Sequence, residues 1–208
     1  MSMPRSLVGL LVAGVLFTMQ HGSPATAAEG DATLAKATFA GGCFWCTEAV
    51  YAQLRGVKSV TSGYIGGSVP NPTYEQVCGK KTGHAEAIEI VYDPAQVSYE
   101  KLLEVFFTAH DPTTKDRQGH DVGPQYRSAV FYHDAEQKRI AEGVIRRLDE
   151  QRVFPGPIVT EVVEATTFYP AEGYHQDYFA KNPADRYCNA VALPKMEKVR
   201  KAFKDLIK

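Results

Sequence analysis

Two hydrophobic periodicities alternate along residues 35–165, and this alternation restricts the fold more than any other feature of the sequence. Segments with the two-residue period of a half-buried strand are separated by segments with helical spacing. Helices that return to strands of mixed direction predict the α+β class: a two-layer sandwich in which a mixed sheet surrounds a ferredoxin-like core. The predicted strands are residues 35–40, 57–64, 85–92, 126–133 and 158–165.

Caps and apolar stripes place helices between these strands, in the order β-α-β-β-α-β-α-β. The first helix covers residues 43–55 and ends at Gly56, and a second begins after Ser98. Asp134 caps a third helix, and residues 194–208 form a basic amphipathic helix. Two segments without periodicity are predicted to be long loops that hold the site: residues 65–76 and 110–125.

The N-terminus has the pattern of a secretory signal. Arg5 precedes an apolar run over residues 7–19 and the small-residue segment SPATAAE. The run is shorter than the roughly 20 residues that span a bilayer. We therefore expect residues 1–28 to be a signal peptide and residues 29–208 to be a single catalytic domain, exported to the periplasm or secreted. An uncleaved N-terminal anchor is the alternative.

Composition excludes several classes of function. The formal net charge of −1 is unlike that of a general nucleic-acid binder. Four cysteines are too few to staple a chain of this size, and no second CxxC completes a zinc site. The sequence contains no P-loop, HExxH, GxSxG or GxGxxG motif after a strand. We therefore expect no metal and favour thiol chemistry.

The segment GGCFWC carries the strongest chemical signal. Cys43 is predicted at a helix N-terminus, where unpaired N–H groups and the helix dipole lower a thiol pKa, so it is the best nucleophile candidate. Cys46 is either a redox thiol or a buried core residue. Glu86 either faces apolar surroundings, where a raised pKa makes it a proton donor, or reaches solvent. Cys188 is either a free surface thiol or a thiol that moves toward a distant partner.

Five blocks of sequence extend in order from about Thr38 to Pro194. They are GGCFWCTEAVY, SGYIGG, NPTYEQVCGKKTGHAEAIEIVYDP, HDPTTKDRQGHDVGPQYRSAVFY, and AEGYHQDY with NPADRYC. Together they resemble the A-type peptide methionine sulfoxide reductases. The resemblance implies reduction of methionine-S-sulfoxide, free or in proteins, to methionine, and hence the repair of oxidised proteins.

The resemblance also implies a role for each matched position. Cys43 would be the catalytic cysteine and Glu86 the acid, while Tyr74 and Tyr126 would hydrogen-bond the sulfoxide oxygen. Cys188 would be the resolving cysteine. Four further residues would bind the substrate. Phe44 and Trp45 would form the wall of a pocket for its methyl group, and Asp121 and His175 would shape the site from behind.

The implied reaction needs no metal or organic cofactor. Attack on the sulfoxide converts Cys43 to a sulfenic acid, a second thiol condenses with it to a disulfide, and a thioredoxin or periplasmic thioredoxin-like donor reduces that disulfide. Cys46 stands where many relatives have a small residue, and a second C-terminal cysteine found in some relatives is missing. We expect Cys188 to resolve the sulfenic acid, with Cys46 as the alternative resolving thiol or as a relay thiol. Cys78 is expected to be structural, and the protein is expected to be a monomer.

A general thiol-disulfide oxidoreductase that uses the CFWC dithiol is the alternative function. A CxxC at a helix start after a strand is typical of thioredoxin-like proteins. That hypothesis leaves Glu86, the loop tyrosines and Cys188 without a role. A zinc-binding module is a further alternative, and it predicts unfolding by a chelator.

Overall fold

The computed structural model describes residues 33–208. The predicted signal peptide at residues 1–28 lies outside these described residues. Among residues 33–208, no helix has the length and apolar character needed to cross a membrane.

A six-stranded mixed sheet forms one layer of the fold, and a two-stranded hairpin lies apart from it. The strands are β1 (Ala35–Gly41), β2 (Val57–Ile65), β3 (Ala85–Tyr92), β4 (Arg117–Gln118), β5 (Asp121–Val122), β6 (Ser128–Tyr132), β7 (Glu161–Glu164) and β8 (Tyr169–Pro170). The sheet order is β7-β6-β1-β3-β2-β8, with β4 and β5 forming the hairpin. The four central strands are antiparallel, and β7 runs parallel to β6.

Helices form the second layer. They are α1 (Phe44–Ala52), α2 (Tyr74–Cys78), α3 (Tyr99–Ala109), α4 (Ala135–Glu150), α5 (Tyr178–Lys181) and α6 (Leu193–Ala202), with a π-helical turn at Cys188–Ala192 and 3₁₀ turns at Pro124–Tyr126 and Lys204–Leu206. The order β1-α1-β2-β3-α3-β6, with β6 beside β1 and β3 between β1 and β2, is that of a ferredoxin-like core. The predicted α+β sandwich is therefore confirmed.

The core lies between the sheet and the helices α1 and α3. Phe39 of β1 stacks on Phe106 of α3 with ring centroids 5.1 Å apart. The hydroxyl of the buried Tyr51 on α1 donates a hydrogen bond of 2.8 Å to the carbonyl of Leu102. These contacts hold both helices against the same face of the sheet, so the start of α1 has a fixed position relative to the strand ends.

Several predicted boundaries are wrong, each for a local reason. The first helix ends at Ala52 rather than residue 55, because the C-terminal residues take over its last backbone groups: the N–H of Lys208 donates to Gln53 and that of Arg55 to Leu206. The segment 65–76, predicted to be irregular, contains the start of α2. A capping box between Thr73 and Gln76 initiates that helix.

Further differences concern the later strands and loops. The segment predicted as a strand over residues 126–133 begins at Ser128, since a 3₁₀ turn occupies Pro124–Tyr126. The last predicted strand shortens to β7, and β8 adds a short pairing to β2 that the periodicity did not indicate. Within the long loop 110–125, β4 and β5 form a hairpin. The C-terminal helix ends at Ala202.

A left-handed glycine makes the turn from β1 into α1. Gly42 has φ +89°, and a Cβ added there would lie 2.7 Å from side-chain carbons of Gln118. Both the backbone angle and the space therefore require glycine. The turn brings Cys43 directly from the end of a central strand to the start of α1.

We predict that Gly42→Ala lowers the free energy of unfolding by about 2–3 kcal/mol, because it adds backbone strain to a steric overlap. Urea denaturation followed by circular dichroism measures this change. The matched control is Gly143→Ala in α4, where an added Cβ meets open space. That substitution should stabilise by about 0.5–1 kcal/mol, and equal effects of the two variants would contradict the assignment.

Candidate active site

Cys43 is the N-cap residue of α1. Its carbonyl accepts the first hydrogen bonds of the helix, from the N–H groups of Cys46 at 3.1 Å and Thr47 at 3.4 Å. The side chain is 8 % exposed. The predicted position at a helix N-terminus is therefore confirmed.

A cavity of about 190 Å³ lies in front of Cys43. Its lining comes from the start of α1, the start of β3, α2 and the loops before β6 and α6. The lining residues are Cys43, Phe44, Trp45, Tyr74, Glu86, Asp121, Tyr126 and Tyr187. Seven of the predicted site residues thus share one cavity, and Tyr187 is an addition to them.

Glu86 is buried at the start of β3. Because β1 and β3 pair antiparallel, with Phe39 opposite Ile88, the start of β3 lies beside the end of β1. Glu86 is 2 % exposed, and its carboxyl accepts a hydrogen bond of 3.1 Å from the backbone N–H of Phe44. Burial, together with the neighbouring Cys43, raises the pKa of Glu86 well above its ordinary value. Glu86 therefore faces apolar surroundings and does not reach solvent, which are the two alternatives that the sequence left open.

The thiols of Cys43 and Cys46 are near enough to shift each other's pKa. Burial, followed by the hydrogen bond with Cys46, raises the pKa of Cys43. The hydrogen bond from Cys43 lowers the pKa of Cys46 against the effect of burial. The predicted lowering at Cys43 is therefore wrong, because desolvation and the second thiol outweigh the helix terminus.

Two tyrosines face the carboxyl of Glu86 across the cavity. Burial raises the pKa of Tyr74, with a further contribution from the hydrogen bond to the Cys78 thiol. Burial and the nearby Glu86 raise the pKa of Tyr126. Both phenols therefore keep their protons and can donate hydrogen bonds to an oxygen placed in the cavity.

Trp45 forms one wall of the cavity and is held from two sides. Its indole N–H donates a hydrogen bond of 3.1 Å to Nδ1 of His175, and its ring stacks on Tyr178 with centroids 3.7 Å apart. His175 is 1 % exposed and also packs against Phe44 at 5.0 Å. It therefore lies behind the aromatic wall rather than in the cavity. Burial lowers its pKa and favours the neutral imidazole.

Asp121 and Tyr187 close the back of the cavity. The Tyr187 hydroxyl donates a hydrogen bond of 2.6 Å to the carboxylate of Asp121, and the same hydroxyl lowers the pKa of both Cys43 and Cys46. The phenol thus connects the thiol pair to a carboxylate. Asp121 therefore acts on the cysteines through its hydrogen bond with Tyr187.

Cys188 is fully buried, so the alternative of a free surface thiol is wrong. It lies in the π-helical turn, and its backbone N–H donates a hydrogen bond of 2.9 Å to the carboxylate of Asp185. Burial, with that carboxylate, raises the pKa of the Cys188 thiol to about 11. Cys78 is half-buried on α2, and all four cysteines are unbridged.

Comparison with known proteins identifies the family. The family profile described as peptide methionine sulfoxide reductase matches residues 35–207. The chain belongs to this family. It is an oxidoreductase, and its predicted resemblance to the A type is confirmed by relatives that bear the name MsrA.

The similarity to these relatives covers most of each chain. The peptide methionine sulfoxide reductase MsrA of Thermus thermophilus is 58% identical over 172 residues, which are 83% of this chain and 97% of the relative. That of Deinococcus radiodurans is 52% identical over 191 residues, 92% of each chain. Among solved structures, methionine sulfoxide reductase A of Corynebacterium diphtheriae has a TM-score of 0.67 and 36% identity, covering 75% of this chain and 78% of its own. Reduced Mxr1 of Saccharomyces cerevisiae has a TM-score of 0.67 and 33% identity, covering 73% and 87%.

Sequence reasoning missed two residues that this reductase places at the site. Tyr187 precedes Cys188 directly, but nothing in the local pattern shows that its hydroxyl reaches Cys43 and Asp121. Glu172 lies in the block AEGYHQDY and accepts a hydrogen bond from the backbone N–H of Tyr74. The sequence signal for Glu172 is a carboxylate three residues before a histidine, and this spacing is too common to indicate a functional residue.

We predict that Glu86→Gln slows methionine release by about 10²- to 10⁴-fold, because the amide keeps the contact with Phe44 but is a far weaker acid. Single-turnover release of methionine from a sulfoxide peptide measures the effect. Glu89→Gln is the matched control, since Glu89 lies on the same strand and pairs at the surface with Lys36. The role of Glu86 as acid is wrong if both variants release methionine at the wild-type rate.

Proposed function

We propose that this reductase converts methionine-S-sulfoxide, free or in proteins, to methionine, and thereby repairs oxidised proteins. The observation that carries the proposal is a single cavity in which the thiol of Cys43 lies beside the buried carboxyl of Glu86 and two phenols. A nucleophile and proton donors on adjacent walls suit an electrophilic sulfur that bears a basic oxygen.

The proposed reaction begins with the substrate methyl group against Phe44 and Trp45 and the sulfoxide oxygen toward Glu86, Tyr74 and Tyr126. The Cys43 sulfur, as its thiolate, attacks the sulfoxide sulfur. Glu86 donates a proton to the oxygen. The oxygen is transferred to Cys43, which becomes a sulfenic acid, and methionine leaves with its sulfur reduced by two electrons.

We propose Cys46 as the first thiol to react with the sulfenic acid, and Cys188 as the second. The contact between Cys46 and Cys43 and the lowered pKa of Cys46 support this order. Residues at the N-cap and three positions later lie close enough to bridge without unwinding the helix. Attack by Cys188 on Cys46 would then release Cys43 and leave a Cys46–Cys188 disulfide. The sequence had favoured Cys188 as the first partner.

An external dithiol must reduce the final disulfide. We propose a thioredoxin-like donor, together with cleavage of residues 1–28, export of the single domain 29–208, and action as a monomer in the periplasm or outside the cell. The signal pattern at the N-terminus supports export, and an oxidising compartment requires a dedicated reductant there.

We predict that the reduced protein, without added reductant, releases about one equivalent of methionine from the S epimer of N-acetylmethionine sulfoxide and none from the R epimer. One disulfide should form, lowering the intact mass by about two daltons. Chromatography and mass spectrometry measure both. Cys43→Ser should release nothing. Release from neither epimer, with reduction of insulin disulfides instead, would favour the CFWC oxidoreductase.

The order of the thiols predicts different products in two variants. Cys188→Ala should still release one equivalent and form the Cys43–Cys46 disulfide, because the first exchange does not use Cys188. Cys46→Ala should release one equivalent and accumulate a sulfenic acid that dimedone traps. Accumulation of sulfenic acid in Cys188→Ala, but not in Cys46→Ala, would show that Cys188 reacts first.

A further inference from the structure

Glu172 lies behind the aromatic wall of the cavity and connects three parts of it. One carboxylate oxygen accepts a hydrogen bond of 2.9 Å from the hydroxyl of Tyr64 on β2, and the other accepts one of 2.9 Å from the backbone N–H of Tyr74 at the start of α2. Nε2 of His175 is 3.8 Å from Oε2 of Glu172. Glu172 therefore touches a sheet residue, a helix start and the histidine that holds Trp45.

The contact between Trp45 and His175 decides where the imidazole carries its proton. An indole N–H can only donate, so Nδ1 of His175 must be the acceptor in their 3.1 Å hydrogen bond. A neutral imidazole then carries its hydrogen on Nε2. That nitrogen is buried and has no hydrogen-bond partner among residues 33–208, and Oε2 of Glu172 lies 3.8 Å from it.

A carboxylate in this place favours the same tautomer. The pKa of Glu172 is lowered, since hydrogen bonds from its surroundings outweigh the opposing effect of partial burial, so the group is ionised and only accepts. An acceptor facing Nε2 keeps the hydrogen on that nitrogen and leaves Nδ1 free for the indole. A donor at the same place would favour the other tautomer, with N–H groups of His175 and Trp45 pointing at each other.

We propose that Glu172 is a positioning residue for methionine sulfoxide reduction: through His175 it fixes the orientation of Trp45, and through Tyr74 it fixes the opposite wall of the same cavity. Glu172 does not line the cavity, so it acts on the substrate only through these two neighbours. This inference rests on the proposed function in one respect, the role of Trp45 as a wall for the substrate methyl group.

The chain carries its own probe of this arrangement, because Trp45 is its single tryptophan. Glu172→Gln keeps the size of the side chain but can place an amide donor near Nε2. We expect the fluorescence emission of Trp45 to move to longer wavelength and its quenching by acrylamide to increase by about two-fold, as the indole loses its acceptor. With dithiothreitol as reductant, KM for a methionine-S-sulfoxide peptide should rise about ten-fold while kcat changes less than about three-fold.

Glu75→Gln is the matched control. Glu75 is an exposed carboxylate on α2 whose charge also acts on His175, but it makes no hydrogen bond to the aromatic wall among the described contacts. Removing this charge tests a purely electrostatic effect on His175, without a hydrogen bond. The emission wavelength should stay at its wild-type value, and KM should stay within two-fold of wild type. A second variant, Glu172→Asp, keeps an acceptor and should restore most of the wild-type emission.

The results for these variants either support or overturn the positioning role of Glu172. Unchanged emission and KM in Glu172→Gln would overturn it, as would equal changes in Glu75→Gln. If Glu172→Gln fails to fold, Glu172→Ala replaces it: this substitution should raise KM less in a Trp45→Phe background than in the wild type, and equal increases in both backgrounds would overturn the inference. Emission does not require the reaction, so a shifted emission in a protein that reduces no sulfoxide would reject the proposed function and retain the positioning role.

Discussion

The hydrogen bond from the backbone N–H of Phe44 to the carboxyl of Glu86 is the contact on which the site depends. The first N–H groups of a helix have no partner within the helix, and here a buried side chain from a neighbouring strand satisfies one of them. The antiparallel pairing of β1 and β3 makes this possible, because it brings the start of β3 beside the end of β1. The nucleophile and the acid are therefore positioned by the sheet itself.

Protons are distributed unevenly around this contact. The carboxyl of Glu86 and the phenols of Tyr74 and Tyr126 all have raised pKa values, because burial disfavours their charged forms. The pKa of Cys46 is instead lowered, chiefly by the hydrogen bond from Cys43. A substrate in the cavity therefore meets protonated groups that can donate hydrogen bonds to its oxygen.

Local patterns in the sequence predicted the element order and the position of Cys43, since a strand, two glycines and a helical stripe are all short-range signals. They did not decide which way Glu86 points, because alternation defines two faces of a strand but not which face is covered at its end. The lowered pKa expected for Cys43 failed for a related reason: burial and the Cys46 thiol raise it, and local patterns do not show how deeply the start of α1 is covered. Cys188 looked exposed in a polar segment, yet a turn between α5 and α6 buries it completely.

The π-helical turn that contains Cys188 has a mechanical consequence. Such a turn holds one residue more than an α-helical turn, and it runs directly into α6. If the extra residue is released, everything before it rotates by about 100° around the helix axis relative to α6, since each α-helical residue contributes that angle. The turn therefore sets the direction in which Cys188 points relative to α6, since the same residue in a continuous α-helix would be rotated by about 100°.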